Sequence, residues 1–576
     1  MRAPAPPAAR RALALIIVLA SLLAAGCWRV YSNTWDEPEH LAAGIELLDR
    51  GRYEYDTEHP PLARVVLALG PYLAGAHSFG TSPPSGVPEG VDILYQDGHY
   101  WLYLTLARLG MLPFLALLCL GTWLWARRLL DSPGASLLAV LLLVSVPPVL
   151  GHAGLASLDV AAAATCLLAF YALELWLTSA RYGDAARFGL AAGLAVGTKF
   201  SAVPFIGVAL PALAAVRALL ARQGDGAAAT PAPAGGAADA PPGTPRAWLL
   251  GLALAALTTL VPLALAYGPR LADPVRVAAR FNWAVSYLLE ERGLDHELGV
   301  LIAHLSLPRA VKDLINGIVA VKAHNDAGHL SYLLGRTGTT GWWYFYLVAL
   351  AVKTPIPLLA AGPAGVAWLA REGWRRRDPW ALAPAVLTVT VLAFASFFSH
   401  INIGVRHVLV LYPFLAIGAA ALTARAWRSL AAQRPSASRS RAARAGTTAV
   451  LALLFWQLST LWTAYPDYLP YFNEAVPHPE RVLVDSDLDW GQDLHRLERR
   501  AAKLGISKLA IAYRGTADLK REPLPPYQIL APRRPQSGWV AISELARTRN
   551  PADYAWLSAY RPLERIGSSI DLYYVP

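Results

Sequence analysis

GHAGLASLDVAAAATCLLAFYAL, residues 151–173, places one carboxylate, Asp159, at the mouth of a run too apolar to be a soluble surface. The run is long enough to cross a bilayer as a helix, which needs about 20 apolar residues. Similar runs lie near 12–28, 101–126, 134–150, 186–200, 201–220, 247–268, 342–370, 379–399, 405–424 and 447–464. With 158–178 they predict an α-helical polytopic membrane protein of about 11 transmembrane helices; 186–220 reads as two spans or one broken span. Composition agrees. Of 576 residues, 55% are hydrophobic and 16% charged, against about a quarter charged in soluble proteins, and the mean hydropathy is +0.36. No internal repeat is visible.

The net charge of +11 does not point to nucleic acid, because the arginines cluster between apolar runs as in cytoplasmic loops. Arg2, Arg10 and Arg11 precede the first run. Arg127 and Arg128 follow the second, Arg181 and Arg187 flank a later turn, and REGWRRRD follows the eighth. Arginines from Arg425 to Arg444 separate the last two. A cytoplasmic N-terminus puts all of these inside, and leaves the loop 29–100 and the tail outside. The N-terminal stretch ending LAAGC resembles a cleaved signal, but many later spans favour an uncleaved first helix. Cys27, Cys119 and Cys166 fall in apolar runs without metal-ligand or disulfide spacing and read as packing residues.

Two domains follow. Residues 1–465 form the membrane domain, with a large first outer loop at 29–100. An Ala/Pro/Gly-rich stretch at 221–246 reads as a flexible cytoplasmic linker. Residues 466–576 regain a soluble composition. There RVLVDSD, SKLAIAYRG and GWVAIS read as strands, and DLHRLERRAAKLG reads as an amphipathic helix ending at Gly505, giving a small extracytoplasmic α/β domain.

Ionisable residues gather at the outer ends of the spans. Asp36 and Glu37 follow the first span in TWDEPEH, and EHPPLARVVLALG (58–70) starts a short interfacial helix. Asp159 opens one span and Lys199 closes the next. Lys353 lies in ALAVKTPIPLL, where prolines break the helix, and Arg406 and His407 open the tenth span. A charge within a span costs about 2.5–3.5 kcal/mol on insertion scales, so each needs a partner or a purpose. Snorkelling or packing ion pairs account equally well for any one of them. The convergence of both signs on one membrane face favours a site. A carboxylate there can accept a proton from an attacking hydroxyl, and cations can hold and neutralise a leaving phosphate.

TWDEPEHLAAG, HPPLARVVLALG, GLASLDVAAAATCLLAFYAL, GLAAGLAVGTKFSAVPFI, WWYFYLVALAVKTPIPLL and INIGVRHVLVLYPFLAI together resemble the glycosyltransferase family 39-like enzymes. These are relatives of protein O-mannosyltransferases and of the lipid A aminoarabinose transferase, and have the GT-C fold. The resemblance covers about residues 10–465. It implies a multi-pass bacterial inner-membrane enzyme with a periplasmic active site. Such an enzyme would move a hexose or pentose from a polyprenyl-phosphate carrier to an acceptor hydroxyl on protein, lipid or glycan, with inversion. By the resemblance, Asp36 is the acid acting on the acceptor, Glu37 its companion and Asp159 a second, orienting acid. Lys199, Lys353 and Arg406 are candidates for the carrier phosphate. His59 and His407 either hydrogen-bond substrate or serve capping and packing. No metal ligands are assigned and no cofactor is certain; a divalent cation stays open.

DSDLDWGQD, residues 485–493, lies in a tail that resembles an extension of a bacterial subgroup of these enzymes. Its alternating acids suggest a cation loop, but the offsets of an EF-hand are wrong, and Asp489 or Asp493 as a helix cap is the better reading. No Walker A or Rossmann sequence is present. The competing class is a transporter or flippase for lipid-linked sugars, which would place charges near the midplane, often with inverted repeats. An oligosaccharyltransferase is less suited, since no Asp follows the Trp pair of GTTGWWYFY.

Overall fold

A computed structural model describes residues 5–81, 85–222, 244–268, 274–276, 306–431 and 437–576. Most of the 221–246 linker lies outside the described residues. The helices are α1 (Pro7–Ala24), α2 (Glu37–Arg50), α3 (Leu62–Leu73), α4 (Gly86–Tyr95), α5 (Tyr100–Leu109), α6 (Leu112–Leu129), α7 (Pro133–Val144), α8 (Pro147–Ala153), α9 (Asp159–Ser179) and α10 (Tyr182–Thr198). They continue as α11 (Ala202–Arg222), α12 (Pro245–Tyr267), α13 (Arg309–Ala327), α14 (Phe345–Lys353), α15 (Ile356–Arg376), α16 (Pro379–Phe398), α17 (Tyr412–Ala431) and α18 (Ala437–Thr463). The tail adds α19 (Leu494–Lys503) and α20 (Glu544–Arg549).

Every apolar run read from the sequence is helical. Among the described residues, eight helices or fused pairs are long and apolar enough to cross a membrane, and α7 with α8, bent by 69°, makes a ninth. The chain is an α-helical polytopic membrane protein. The breaks have local causes. Val146 precedes Pro147 and Thr354 precedes Pro355, and both are extended, as the proline ring requires of its predecessor. Between α10 and α11 the break falls at Lys199, also extended, so 186–220 is two helices. At 17 residues α10 is short. It packs closely on α12 through Gly189 and Gly193, where a Cβ would lie 2.1 Å from the Ala255 carbonyl oxygen and 2.3 Å from that of Thr259.

The loop 29–100 folds as α2, α3 and α4 around an apolar core that includes Leu41, Ile45, Leu67 and Ile93. α3 is the short apolar helix foreseen after the paired prolines. Two short antiparallel pairs follow, β1 (Pro274–Arg276) with β2 (Ser306–Pro308) and β3 (Ser331–Leu333) with β4 (Arg336–Gly338).

The tail builds a five-stranded sheet from β5 (Leu509–Ala512), β6 (Tyr527–Ile529), β7 (Gly538–Ser543), β8 (Glu564–Ile566) and β9 (Ile570–Val575), in the order β6-β5-β7-β9-β8. β5 is parallel to β6 and β7, and β9 runs antiparallel to β7 and β8. α19 packs on one face through Leu494, Leu497 and Ala501, and Gly505 ends that stretch in the left-handed region at φ 64°. The expected strand at RVLVDSD does not form. Residues 479–481 and 485–487 are single 3-10 turns; the Val482 carbonyl accepts from Leu334 N–H, and Asp487 accepts from Lys353 Nζ and Val405 N–H.

Candidate active site

Arg406 is the hub. It lies in a 3-10 stretch, Val405–Leu411, that leads into α17. Its Nη1 donates to Asp36 Oδ2 at 2.6 Å and lies 3.6 Å from Asp159 Oδ2. Lys199 Nζ donates to the other Asp159 oxygen at 2.6 Å. Residues from the first loop, α9, the α10–α11 break and the start of α17 thus meet at one point, across 370 residues of sequence between Asp36 and Arg406. Asp159, Lys199, Arg406 and His407 line an open cavity. Its remaining wall is mainly apolar and includes Ala162, Cys166, Phe205, Phe394, Leu409 and Val410. Cationic groups beside a largely hydrocarbon wall suit an amphiphile with an anionic head.

The buried hydrogen bonding at this end is incomplete. Asp159 Oδ2, Arg406 Nε and His152 Nδ1 have no hydrogen-bond partner among the described residues, although His152 Nδ1 lies 3.9 Å from Asp159 Oδ2. Buried polar atoms are rarely left unpaired.

Glu37 is placed differently from the expectation. It is 1% exposed and does not line the cavity. Both oxygens are taken up by Arg108 Nε and Nη2, each at 2.8 Å, by the N–H groups of Thr34 and Ala156, and by the Thr34 hydroxyl. Burial alone would raise its pKa, but the Arg108 guanidinium and the main-chain donors hold it below the usual value. Lys353 is also diverted. Its Nζ donates to the carbonyls of Leu469 at 2.9 Å and Asp487 at 2.6 Å and sits over the Phe472 ring, so it fastens the tail to α14 away from the cavity. His59 pairs with Asp56 at 3.2 Å and packs edge-on against His40, outside the cavity lining. His407 lines the cavity with its ring stacked on Tyr346 at 6.4 Å.

The first loop holds a second charged group. Asp56 is ion-paired with buried Arg64, which also donates to the Tyr53 hydroxyl. Beside them Glu39 is pushed up to about 8 by burial, with Asp56, Asp36 and Glu58 adding repulsion against the opposing Arg64.

The four tail acids point in four directions. Asp485 pairs with Arg549, and Asp487 Oδ1 accepts from Val405 N–H. Asp489 accepts from the N–H groups of Gly491 and Leu545. Asp493 accepts from Ser568, Ser569 and Arg496. They share no ion site, and although Asp493 stands at the N-cap of α19 it makes no capping bond. Among the described residues the grouping with metal-like spacing is His495, Glu498 and Glu522, whose ligand atoms lie within 4.8 Å of one another on the tail.

Four further residues went unread in the sequence. Arg108 is a lone cation in WLYLTLARLG, and Glu174 with its partner Arg217 forms a buried ion pair between α9 and α11. A charge inside an apolar run was the available signal for all three. Trp490, in the tail motif, carried none.

No protein-family model and no curated protein sequence matches the chain. Solved structures similar to it include ArnT from Cupriavidus metallidurans bound to undecaprenyl phosphate, with 13% identity, 97% of each chain covered and a TM-score of 0.45. Another is the Archaeoglobus fulgidus oligosaccharyltransferase tethered with an acceptor peptide, at 15% identity, 78% of this chain, 54% of that chain and TM-score 0.44. A third is the arabinosyltransferase EmbB from Mycobacterium smegmatis, at 15% identity, 81% of this chain, 42% of that chain and TM-score 0.27.

Proposed function

We propose that this protein is a GT-C-type membrane glycosyltransferase that moves a sugar from a polyprenyl-phosphate carrier to an acceptor hydroxyl at the outer face of a bacterial inner membrane. The observation that carries the reading is Arg406 bridging Asp36 and Asp159, with Lys199 alongside, where Asp159, Lys199 and Arg406 line a cavity with a mainly apolar wall. In this scheme the carrier phosphate binds Arg406 and Lys199, displacing Asp36 from its 2.6 Å pair. The freed carboxylate accepts the proton of the attacking hydroxyl. The hydroxyl oxygen bonds to the anomeric carbon as the bond from that carbon to the phosphate oxygen breaks, and the electron pair leaves with the carrier phosphate. Direct displacement inverts the anomeric centre. The two cations offset charge growing on the leaving group, and Asp159 orients Lys199 and Arg406. His407 borders the substrate. The membrane domain ends at residue 465, and 466–576 lie outside, with the N-terminus in the cytoplasm.

The test supplies purified protein with radiolabelled polyprenyl-phosphate sugars and candidate acceptors. Asp36→Asn is expected to lower transfer by about 10²–10⁴-fold, the range of general-base contributions, while leaving the fold intact. Undiminished turnover in that variant removes Asp36 from the role. Carrier movement across vesicles with no glycoside product in any acceptor mixture would favour the flippase.

A further inference from the structure

The tail reaches the candidate site through one indole. Trp490 is 2% exposed, and the Arg406 guanidinium carbon lies 4.4 Å from its ring centroid. The same ring meets His152 edge-on at 5.8 Å. Trp490 is braced from both sides. Its carbonyl accepts from Trp35 N–H at 3.0 Å, and the Gln492 carbonyl accepts from Ser32 N–H at 3.0 Å, so the tail holds the segment that carries Asp36. On the other side Asp489 accepts from Leu545 N–H at the start of α20, and the Tyr513 hydroxyl, just past β5, donates to the Gly491 carbonyl at 2.7 Å. Gly404, two residues before Arg406, touches the same tail closely: a Cβ there would lie 2.2 Å from Ser486 Oγ.

We propose that Trp490 is a positioning residue, its indole face fixing the Arg406 guanidinium toward Asp36 and Asp159 so that the tail completes the anion-binding centre. An arginine over a buried indole gains direction as well as attraction, and desolvation strengthens the contact. The inference rests on the reading above that Arg406 takes the carrier phosphate.

Two measurements on the full-length protein in nanodiscs test it, using Trp490→Leu, which keeps bulk, and Trp490→Phe, which keeps an aromatic face. The first is phenylglyoxal modification of Arg406, followed by peptide mass spectrometry. Leucine is expected to speed it about fivefold or more, and phenylalanine to stay within about twofold of wild type, as loss or retention of a cation–π contact requires. The second compares binding of undecaprenyl phosphate with undecaprenol. Leucine is expected to weaken the phosphate about tenfold, equivalent to roughly 1.4 kcal/mol, and to leave the alcohol unchanged. In an Arg406→Gln background it is expected to add nothing. Equal modification rates in all three proteins, or losses that multiply in the double variant, overturn the proposal. Wild-type protein that binds both lipids alike refutes the carrier reading, and the modification rates still decide whether Trp490 holds Arg406. If the leucine variant does not fold, the phenylalanine variant carries the test: modification several-fold faster than wild type would overturn it, and near-native rates would support it.

Discussion

Asp36 and Glu37 are adjacent carboxylates expected to respond oppositely to loss of charge. Glu37→Gln removes the anion from a group that is 1% exposed and accepts five hydrogen bonds, two of them from the fully buried Arg108. An amide offers one acceptor oxygen, and its NH₂ must face donors. Removing one partner of a buried pair costs about 3–5 kcal/mol, a factor of roughly 10²–10⁴ in the folded ratio at about 1.4 kcal/mol per tenfold. Asp36 is 21% exposed on its side chain and accepts from Arg406, which keeps Asp159 at 3.6 Å as a second counter-charge, so Asp36→Asn is expected to cost about 1 kcal/mol or less. Thermal unfolding of detergent-solubilised protein, followed by tryptophan fluorescence, measures both. Glu37→Gln should lower the midpoint sharply, and Arg108→Gln added to it should restore about 1–3 kcal/mol, since the two charges are coupled. Acid should act like the substitution. The Glu37 carboxyl is held below its usual value of 4.5, so its stabilisation is present above that value and is lost as pH falls through the lower folded-state value. A Glu37→Gln protein as stable as wild type but inactive in transfer would refute this reasoning and make Glu37 a chemical participant.

Three further outcomes follow from the same geometry. Glu39 is raised from 4.5 to about 8, so the folded state prefers its neutral form; wild-type thermal stability should fall as pH rises between those values, and Glu39→Gln should flatten that slope. Lys353→Met leaves the buried carbonyls of Leu469 and Asp487 without their donor; at about 1–3 kcal/mol per unsatisfied group, limited proteolysis should cut the tail faster, with carrier-phosphate binding the control that a phosphate-binding Lys353 would lower instead. Glu174→Gln breaks the buried pair with Arg217 and should reduce thermal stability by about 3–5 kcal/mol in a pull of α9 away from α11, with any transfer activity per folded molecule unchanged.

The membrane helices were legible because an apolar run of about 20 residues has few alternatives. The prolines after Lys353 also announced a break, found at Pro355, whereas the break at Pro147, inside a run read as one span, went unread. Charges in those runs were legible as needing partners, but the sequence does not say which. For Lys353 the partners are main-chain carbonyls 116 and 134 residues away, invisible to any residue-type pattern. Arg108 was readable by the same rule and was absorbed into its apolar surroundings. The β-branched, apolar run at 482–484 favours a strand, yet Lys353, Val405 and Ile403 claim the Ser486 and Asp487 groups that follow it. In DSDLDWGQD the conspicuous acids are anchors for N–H groups, and the residue that reaches the candidate site is the tryptophan among them.

Burial does not separate anchoring charges from candidate chemical ones, since Glu37, Arg108, Lys353 and Asp159 are all buried. Hydrogen-bond satisfaction separates most of them. Glu37 and Lys353 have partners in fixed positions, and a ligand would have to break those bonds. Asp159, Arg406 and His152 each keep one polar atom unpartnered, and Asp159 Oδ2 lies 3.9 Å from His152 Nδ1 and 3.6 Å from Arg406 Nη1, at about 1–3 kcal/mol per unpartnered atom. The Glu174–Arg217 pair also leaves Glu174 Oε1 and Arg217 Nε unpartnered, but neither residue lines the cavity. Access is therefore the second criterion, and Asp159 and Arg406 meet both. Of the two, Arg406 Nε is the donor that can gain a bond from an anionic ligand, whereas Asp159 Oδ2, a carboxylate oxygen, can only accept and so suits a hydroxyl or a protonated group.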